Sequence, residues 1–361
     1  MREFGSDFSQ VDIYSSKRAH LTDVYRNAVL MADGRQPIVA LIRQEGWRRL
    51  WMPEYFCYEV IDTIKRQTGI EIAFYPGYPL ADDKTIVANL PYKDGDALLR
   101  VNYFGLRDHR SEAEIKVPVI EDHTHDLMGH WALYSNADWC VASLRKTLPL
   151  PEGGMLWSPK GHRFSMELTN TEENRRIADM RWKAMQMKRD YLDGALSDKE
   201  AFRKLYVETE EWFDTAELSI IDEKSKNYIA QLDINLWQGA KRRNWKMLKS
   251  LLAGKIEVLQ PEDESCTMFS LVVLAESMKQ RDALRRKLIE HAVYPAILWQ
   301  VPEYVDEKVE DFSHRMLSIH CDGRYTEEDV RQLAEIINDT LLETAVAEQA
   351  TKVRANDNEI N

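Results

Sequence analysis

Residues 117–131 read VPVIEDHTHDLMGHW. A β-branched run ends on two carboxylates, Glu121 and Asp122, and three histidines follow: His123, His125 and His130. A short, bounded apolar run of this kind predicts a buried strand. A zinc site needs three or four converging ligands, and His123 and His125 share a face only if the strand continues past Asp122. The histidines therefore admit three readings: a metal pair, ordinary satisfied or exposed imidazoles, or one ring serving a cofactor that is not a metal.

Further strands are predicted around this one. RRLWMP, IEIAFYPG, DALLRVNYFG, DWCVASL and GGMLWSP all read as strands. RQPIVALIRQEGW has helical spacing, with Gly34 before it and Pro37 suited to a first helical turn. YEVIDTIKRQTG is a second helix, ending at Gly69. Strands alternating with helices predict an α/β protein whose mainly parallel sheet is covered on both faces. Residues 170–250 read as helical and highly charged. The basic residues of EENRRIADMRWKAMQMKRD are interleaved with Glu, Asp and Met, and KRRNWKMLKSLL is a sharper basic cluster in an acidic chain; both are expected to be solvated helix faces. After Gly254 comes a compact α+β pattern: strands in FSLVVLA, VYPAILW and HRMLSIHCD, and helices in QRDALRRKLIEHA and TEEDVRQLAEIINDTLL. Thr326 and Asp329 are spaced as a capping box. The expected division is a large α/β domain over 1–250, a small α+β domain over 251–345 and a frayed tail over 346–361.

The 361-residue chain is 44% hydrophobic, enough for two domains, and carries a net charge of −12. That charge argues against a general nucleic-acid or membrane surface. The four cysteines lack CxxC spacing and are expected to be reduced thiols. No apolar run is long enough to span a bilayer, and MREFGSDFSQVD lacks the features of a signal peptide. A soluble, cytoplasmic protein is the expectation.

The stretch ADWCVASLRKTLPLPEGGMLW, 137–157, ends a strand near Ser143, then places Lys146, a Pro-bounded link and the Gly153-Gly154 pair. Asp122 and Lys146 thus fall at C-terminal strand ends, where α/β sheets keep their ligands. The two could be an ion pair, unrelated surface charges, or two holds on one cofactor. Pyridoxal phosphate needs such a pair. Its aldehyde condenses with a lysine amine, and a carboxylate keeps its pyridine nitrogen protonated. Its phosphate favours a helix N-terminus, which ADGRQPIVAL could supply, with Gly34 permitting close approach and Arg35 adding charge.

These stretches resemble the DegT/DnrJ/StrS family of fold type I pyridoxal-phosphate aminotransferases. VPVIEDHTHDLMG is similar to that family's strand ending in Glu-Asp, with a histidine or glutamine three residues after the Asp. DWCVASLRKTLPLPEGG resembles its Ser…Lys…Gly-Gly segment, although Ser143 lies three residues before Lys146 where a spacing of five is common. ADGRQ stands where the family carries Ser-Gly-Thr, and WMPEYFCYEVIDTI where it carries Pro-Ser-x-Thr. GDALLRVNYFG and SIHCDGRYTEEDV also fit, so the resemblance runs over roughly 28–335. It implies a fold type I enzyme with a large mainly parallel sheet domain and a smaller α+β domain. It assigns Lys146 the aldehyde, Asp122 the pyridine nitrogen, His125 the ring side, and Ser143, Gly34 and Arg35 the phosphate. Cys57 stands beside the ring where the family often shows an aromatic, so Tyr55, Phe56 or Tyr58 would cover the ring instead. The implied reaction moves an amino group from a glutamate-like donor to a keto-sugar, nucleotide-linked by resemblance, in a homodimer. The family's Tyr-Asn-x-Arg motif is missing. SIIDEKSKNYI, 219–229, stands in its place, with Lys224 or Asn227 as candidate substitutes. That departure keeps open a lyase, a dehydratase or a non-sugar transaminase on this scaffold, and a non-catalytic binding protein beside them.

Overall fold

The computed structural model describes residues 2–12, 20–109 and 114–359, with side chains as far as Thr344. Among them are twelve strands: β1 Phe4–Gly5, β2 Val29–Met31, β3 Arg49–Pro53, β4 Glu71–Tyr75, β5 Asp96–Val101, β6 Val119–Asp122, β7 Trp139–Ser143, β8 Gly154–Trp157, β9 Glu257–Val258, β10 Leu271–Leu274, β11 Val293–Tyr294 and β12 Met316–Ile319. Seven form one sheet in the order β2-β8-β7-β6-β5-β3-β4. Strands β4, β3, β5, β6 and β7 are mutually parallel, and β8 runs antiparallel to both β7 and β2. Parallel strands between helical layers are apolar on both faces. Accordingly every residue of β5 is buried, as are the first three of β6 and the first four of β7.

The expected helices lie at Gln36–Glu45 and Tyr58–Thr68. β2 was not expected. It is three residues long and partly buried, so it carries little pattern to read. Beyond residue 256 a second sheet has the order β12-β10-β9, antiparallel throughout. The strand expected across VYPAILW is only the two-residue β11, because Pro295 has no N–H to continue a ladder. β11 pairs in parallel with β1, so the start of the chain is bound to its second half. His314 and Arg315 end a helix, Glu307–Arg315, rather than opening a strand. The Thr326 capping box is present: the Asp329 N–H donates to Thr326 Oγ1 and the Thr326 N–H to Asp329 Oδ2.

Residues 170–250 hold four helices, Glu172–Leu192, Glu200–Phe213, Glu223–Ile229 and Ile234–Leu251. Their basic residues are not uniformly solvated, which corrects the expectation. Arg181, Lys188 and Lys241 are all buried, because each finds oxygen acceptors inside. Arg181 donates to the Pro151 carbonyl and to Thr209, Lys188 to the Asp7 carbonyl, and Lys241 to Thr147. No helix among the described residues is long and apolar enough to cross a membrane.

Candidate active site

The C-terminal ends of the parallel strands open onto a cavity of roughly 450 Å³. β6 ends at Asp122, and β7 ends at Ser143, followed by the single turn Leu144–Thr147 that carries Lys146. β6 and β7 are hydrogen-bonded neighbours, with Asp122 opposite Val141. Asp122, His125, Ser143, Lys146, Gly34, Arg35 and Cys57 all line this one cavity. Tyr55 does not, contrary to expectation. Its ring is fully buried among Tyr103, Trp299 and Phe312, and its hydroxyl donates to the Leu298 carbonyl. Of the three aromatics expected there, Phe56 reaches the cavity and Tyr58 does not line it either.

The two charges expected to act together are both perturbed. Lys146 is accessible from the cavity but closed in by protein. The neighbouring Arg145 cation, and then dehydration, bring its amine down to about 8. Burial raises the carboxyl of Asp122, although hydrogen bonds from Thr124 work against the rise. Burial first, then the charges of Lys241 and Lys146, take His125 down to about 3, so its ring is neutral. Its Nδ1 accepts the Phe104 N–H at 3.0 Å, which puts the proton on Nε2. The ring lies nearly parallel to Phe104 and Trp299 and close to Phe269, giving a flat, dry wall. Burial raises the Cys57 thiol, offset in part by the Val60 N–H and the charge of Lys146.

The turn 33–35 forms a cradle at the helix start. An added Cβ at Gly34 would lie 2.4 Å from Ser143 Cβ, and one at Gly154 would lie 2.0 Å from the Asp33 carbonyl oxygen. Both glycines are therefore needed to hold this turn against the tips of β7 and β8. The Arg35 N–H donates to Asp33 Oδ1, and the Arg35 guanidinium lies 3.2 Å from Asp214. Asp33 Oδ2 and Arg35 Nε remain buried without a hydrogen-bond partner. The orphaned Arg35 Nε, a donor, suits an anionic guest beside the free N–H groups of a first helical turn, whereas Asp33, whose carboxyl burial raises, can donate to such a guest only when protonated. A ligand with an aldehyde, a flat ring, a ring nitrogen and a phosphate thus meets complementary groups in this cavity.

Sequence reasoning missed several lining residues. Arg145 Nη2 lies 2.6 Å from Glu210 Oε1, and Arg181 Nη1 lies 3.3 Å from Glu210 Oε2. Burial alone would raise Glu210, but Arg145, Lys146 and Arg181 together hold it far below the usual carboxylate range. Ser6–Phe8, Arg285, Trp299 and His320 also line the cavity. Only Arg145 had a local signal, its adjacency to Lys146. The histidines separate, since β6 stops at Asp122. His123 packs away from His125, and its Nε2 lies 3.3 Å from Glu121 Oε2. Donor atoms of Glu121, His123 and Cys140 lie within 4.8 Å of one another. Ser135 links two of them, donating to Glu121 and accepting from Cys140. In the segment that replaces the missing motif, Lys224 covers the Trp182 ring and Asn227 lines a separate groove, so neither reaches this cavity from its own chain.

No protein-family model and no curated protein matches the sequence. Solved structures do match the fold. Spr1654 from Streptococcus pneumoniae, a candidate sugar aminotransferase in its PMP form, superposes with a TM-score of 0.67 at 11% identity, covering 96% of this chain and 100% of that one. PseC from Helicobacter pylori, an aminotransferase involved in the biosynthesis of pseudoaminic acid, gives 0.60 at 13%, covering 95% and 100%. NtdA from Bacillus subtilis, with bound PMP, gives 0.60 at 12%, covering 91% and 78%. At such identities the likeness speaks for the fold alone: the chain has the fold type I α/β architecture of these aminotransferases.

Proposed function

We propose that this protein is a pyridoxal-phosphate-dependent aminotransferase that passes an amino group from a glutamate-like donor to a nucleotide-linked keto-sugar. In this reading it is a soluble, cytoplasmic homodimer, with the cofactor domain in 1–250 and the smaller domain in 251–345. One observation carries the reading: Lys146 and Asp122, on neighbouring strand tips, open onto a single cavity with the His125 wall and the Gly34 cradle. The description of Spr1654 as a candidate sugar aminotransferase supports the substrate class.

When bound, pyridoxal phosphate supplies an aldehyde that condenses with amines and a ring that accepts the electron pair left when a substrate C–H bond breaks. The residues do the rest. Lys146 Nζ would hold the aldehyde carbon and, once displaced by the donor amine, would carry a proton from the substrate carbon to that former aldehyde carbon. An amine lowered to about 8 is still mostly protonated at neutral pH but gives up its proton far more readily than an ordinary lysine, as that role requires. Asp122 would accept the ring N–H, and a cation there would draw its raised carboxyl back toward the ionised form. His125, neutral and stacked on Trp299, would offer the ring a flat face. Ser143, Gly34 and Arg35 would hold the phosphate, and Cys57 and Phe56 would border the ring. Arg285 Nε donates to the Pro295 carbonyl, so its terminal nitrogens remain to receive a donor carboxylate.

The test is chemical. Purified protein is titrated with pyridoxal phosphate, reduced with borohydride and mapped by mass. The label is expected on Lys146 and absent from Lys146→Ala. A label on another lysine, or none, refutes the assignment.

A further inference from the structure

The cavity has a roof, built by the first residues of the chain. β1 is zipped to β11, and the Gly5 N–H donates to the Tyr325 hydroxyl at 2.8 Å. Ser6 follows with φ of 62°, a left-handed conformation that costs a non-glycine residue roughly 1 kcal/mol or more. Lys188 then donates to the Asp7 carbonyl at 2.7 Å, and Tyr206 to the Phe8 carbonyl at 2.8 Å. Arg324 lies 4.2 Å from the centre of the Phe8 ring. Every one of these contacts holds the backbone or a neighbouring residue. Ser6, Asp7 and Phe8 line the cavity, and no described residue forms an ion pair with the exposed Asp7 carboxylate. The other cavity carboxylates are engaged: Glu210 by Arg145 and Arg181, Glu59 by Arg35, Asp33 by the Arg35 N–H and Asp122 by Thr124.

We propose that Asp7 is a specificity-determining residue, whose carboxylate accepts hydroxyl groups of a polyhydroxylated carbonyl substrate held beneath the strap. This rests on the aminotransferase reading above and names its acceptor class. An ionised carboxylate only accepts hydrogen bonds, so its guest is a hydroxyl or an ammonium. Four cations feel the Asp7 charge: Lys146, Arg145, Arg181 and Lys188. That field repels an ammonium guest and leaves neutral hydroxyls, while a guest carboxylate at this point is repelled by Asp7 itself. Ser6, with its positive φ, stands at the bend between β1 and the cavity-lining residues Asp7 and Phe8.

The experiment compares two acceptors on full-length protein loaded with pyridoxamine phosphate. One is a TDP-linked 4-keto-6-deoxyhexose; the other is 2-oxoglutarate, which has no hydroxyl. Asp7→Asn and Asp7→Ala are expected to raise KM for the sugar roughly ten- to hundredfold, as loss of a charge-assisted hydrogen bond does. KM for 2-oxoglutarate should move far less, or fall. An equal rise for both acceptors, or no rise for the sugar, overturns the proposal. So does a wild-type protein that reacts with 2-oxoglutarate but not with the sugar. If the wild type takes up no cofactor at all, the aminotransferase reading itself has failed, a distinct result.

Discussion

Gly34→Ala is the sharpest test of how the cradle is built. The new Cβ would lie 2.4 Å from Ser143 Cβ, 2.7 Å from its Oγ and 2.9 Å from its Cα. Carbon atoms in contact sit about 3.5–4 Å apart, so the turn must retreat by about 1 Å. It cannot do so freely, because β7 is a central strand and the Gly153 N–H is bonded to the Ala32 carbonyl. Overpacking of this sort costs about 1–3 kcal/mol. A hydrogen bond stretched by about 1 Å is lost, so phosphate affinity should fall about tenfold or more. Gly239 is the internal control. It is exposed within the helix Ile234–Leu251, and an added Cβ there meets nothing within 4 Å. Gly239→Ala should therefore stabilise by about 0.5–1 kcal/mol through helix propensity. The assay is denaturant unfolding of each variant, with and without pyridoxal phosphate, plus a titration of the cofactor. Equal stability and cofactor affinity for Gly34→Ala and wild type would refute the packing argument. A destabilised Gly239→Ala would refute the use of Cβ clearance to predict the sign.

Two further outcomes are expected. Glu210→Gln leaves Arg145 and Arg181, with side chains 8% and 3% exposed, without their shared carboxylate. Because the Glu210 side chain is itself 40% exposed, the loss should be about 1–3 kcal/mol rather than the full cost of stranding a buried ion. Unfolding at neutral pH measures it, and an unchanged midpoint would contradict the network. The stabilisation from Glu210 is complete above its unfolded value near pH 4.5 and fades as acid protonates it, so the deficit of the variant should shrink in acid. His125 and His320 are driven by burial to about 3 and about 4 from an ordinary 6.5. The unfolded chain therefore binds more protons than the folded one below pH 6.5, and stability falls with pH through that window, at up to about 1.4 kcal/mol per pH unit for each histidine. His320→Gln should flatten the slope between pH 6.5 and 4. An identical slope would show that the imidazole is not held neutral.

Much of this protein is legible along the chain. Alternating strand and helix periods predict the parallel sheet, because apolar runs such as DALLRV and VIED make sense only when covered on both sides. Lys146 and Asp122 are legible as a pair for the same reason, since each follows the end of a readable strand. Tyr55 against Phe56 was not legible: which ring of an aromatic pair turns inward depends on what packs over it, and Trp299 and Phe312 come from the far half of the chain. β11 was overread because apolarity does not reveal a missing N–H ladder partner.

Local sequence thus determined where strands stop and which chemical groups stand at their ends, because both depend on neighbours within a few residues. Only the tertiary structure decided that Arg145 meets Glu210 across 65 positions, that Arg181 and Lys188 face inward, and that Asp7 roofs a cavity whose floor is more than a hundred residues away. Charge pairing and enclosure act through space and leave no periodic mark, so no reading of the chain alone could have supplied them.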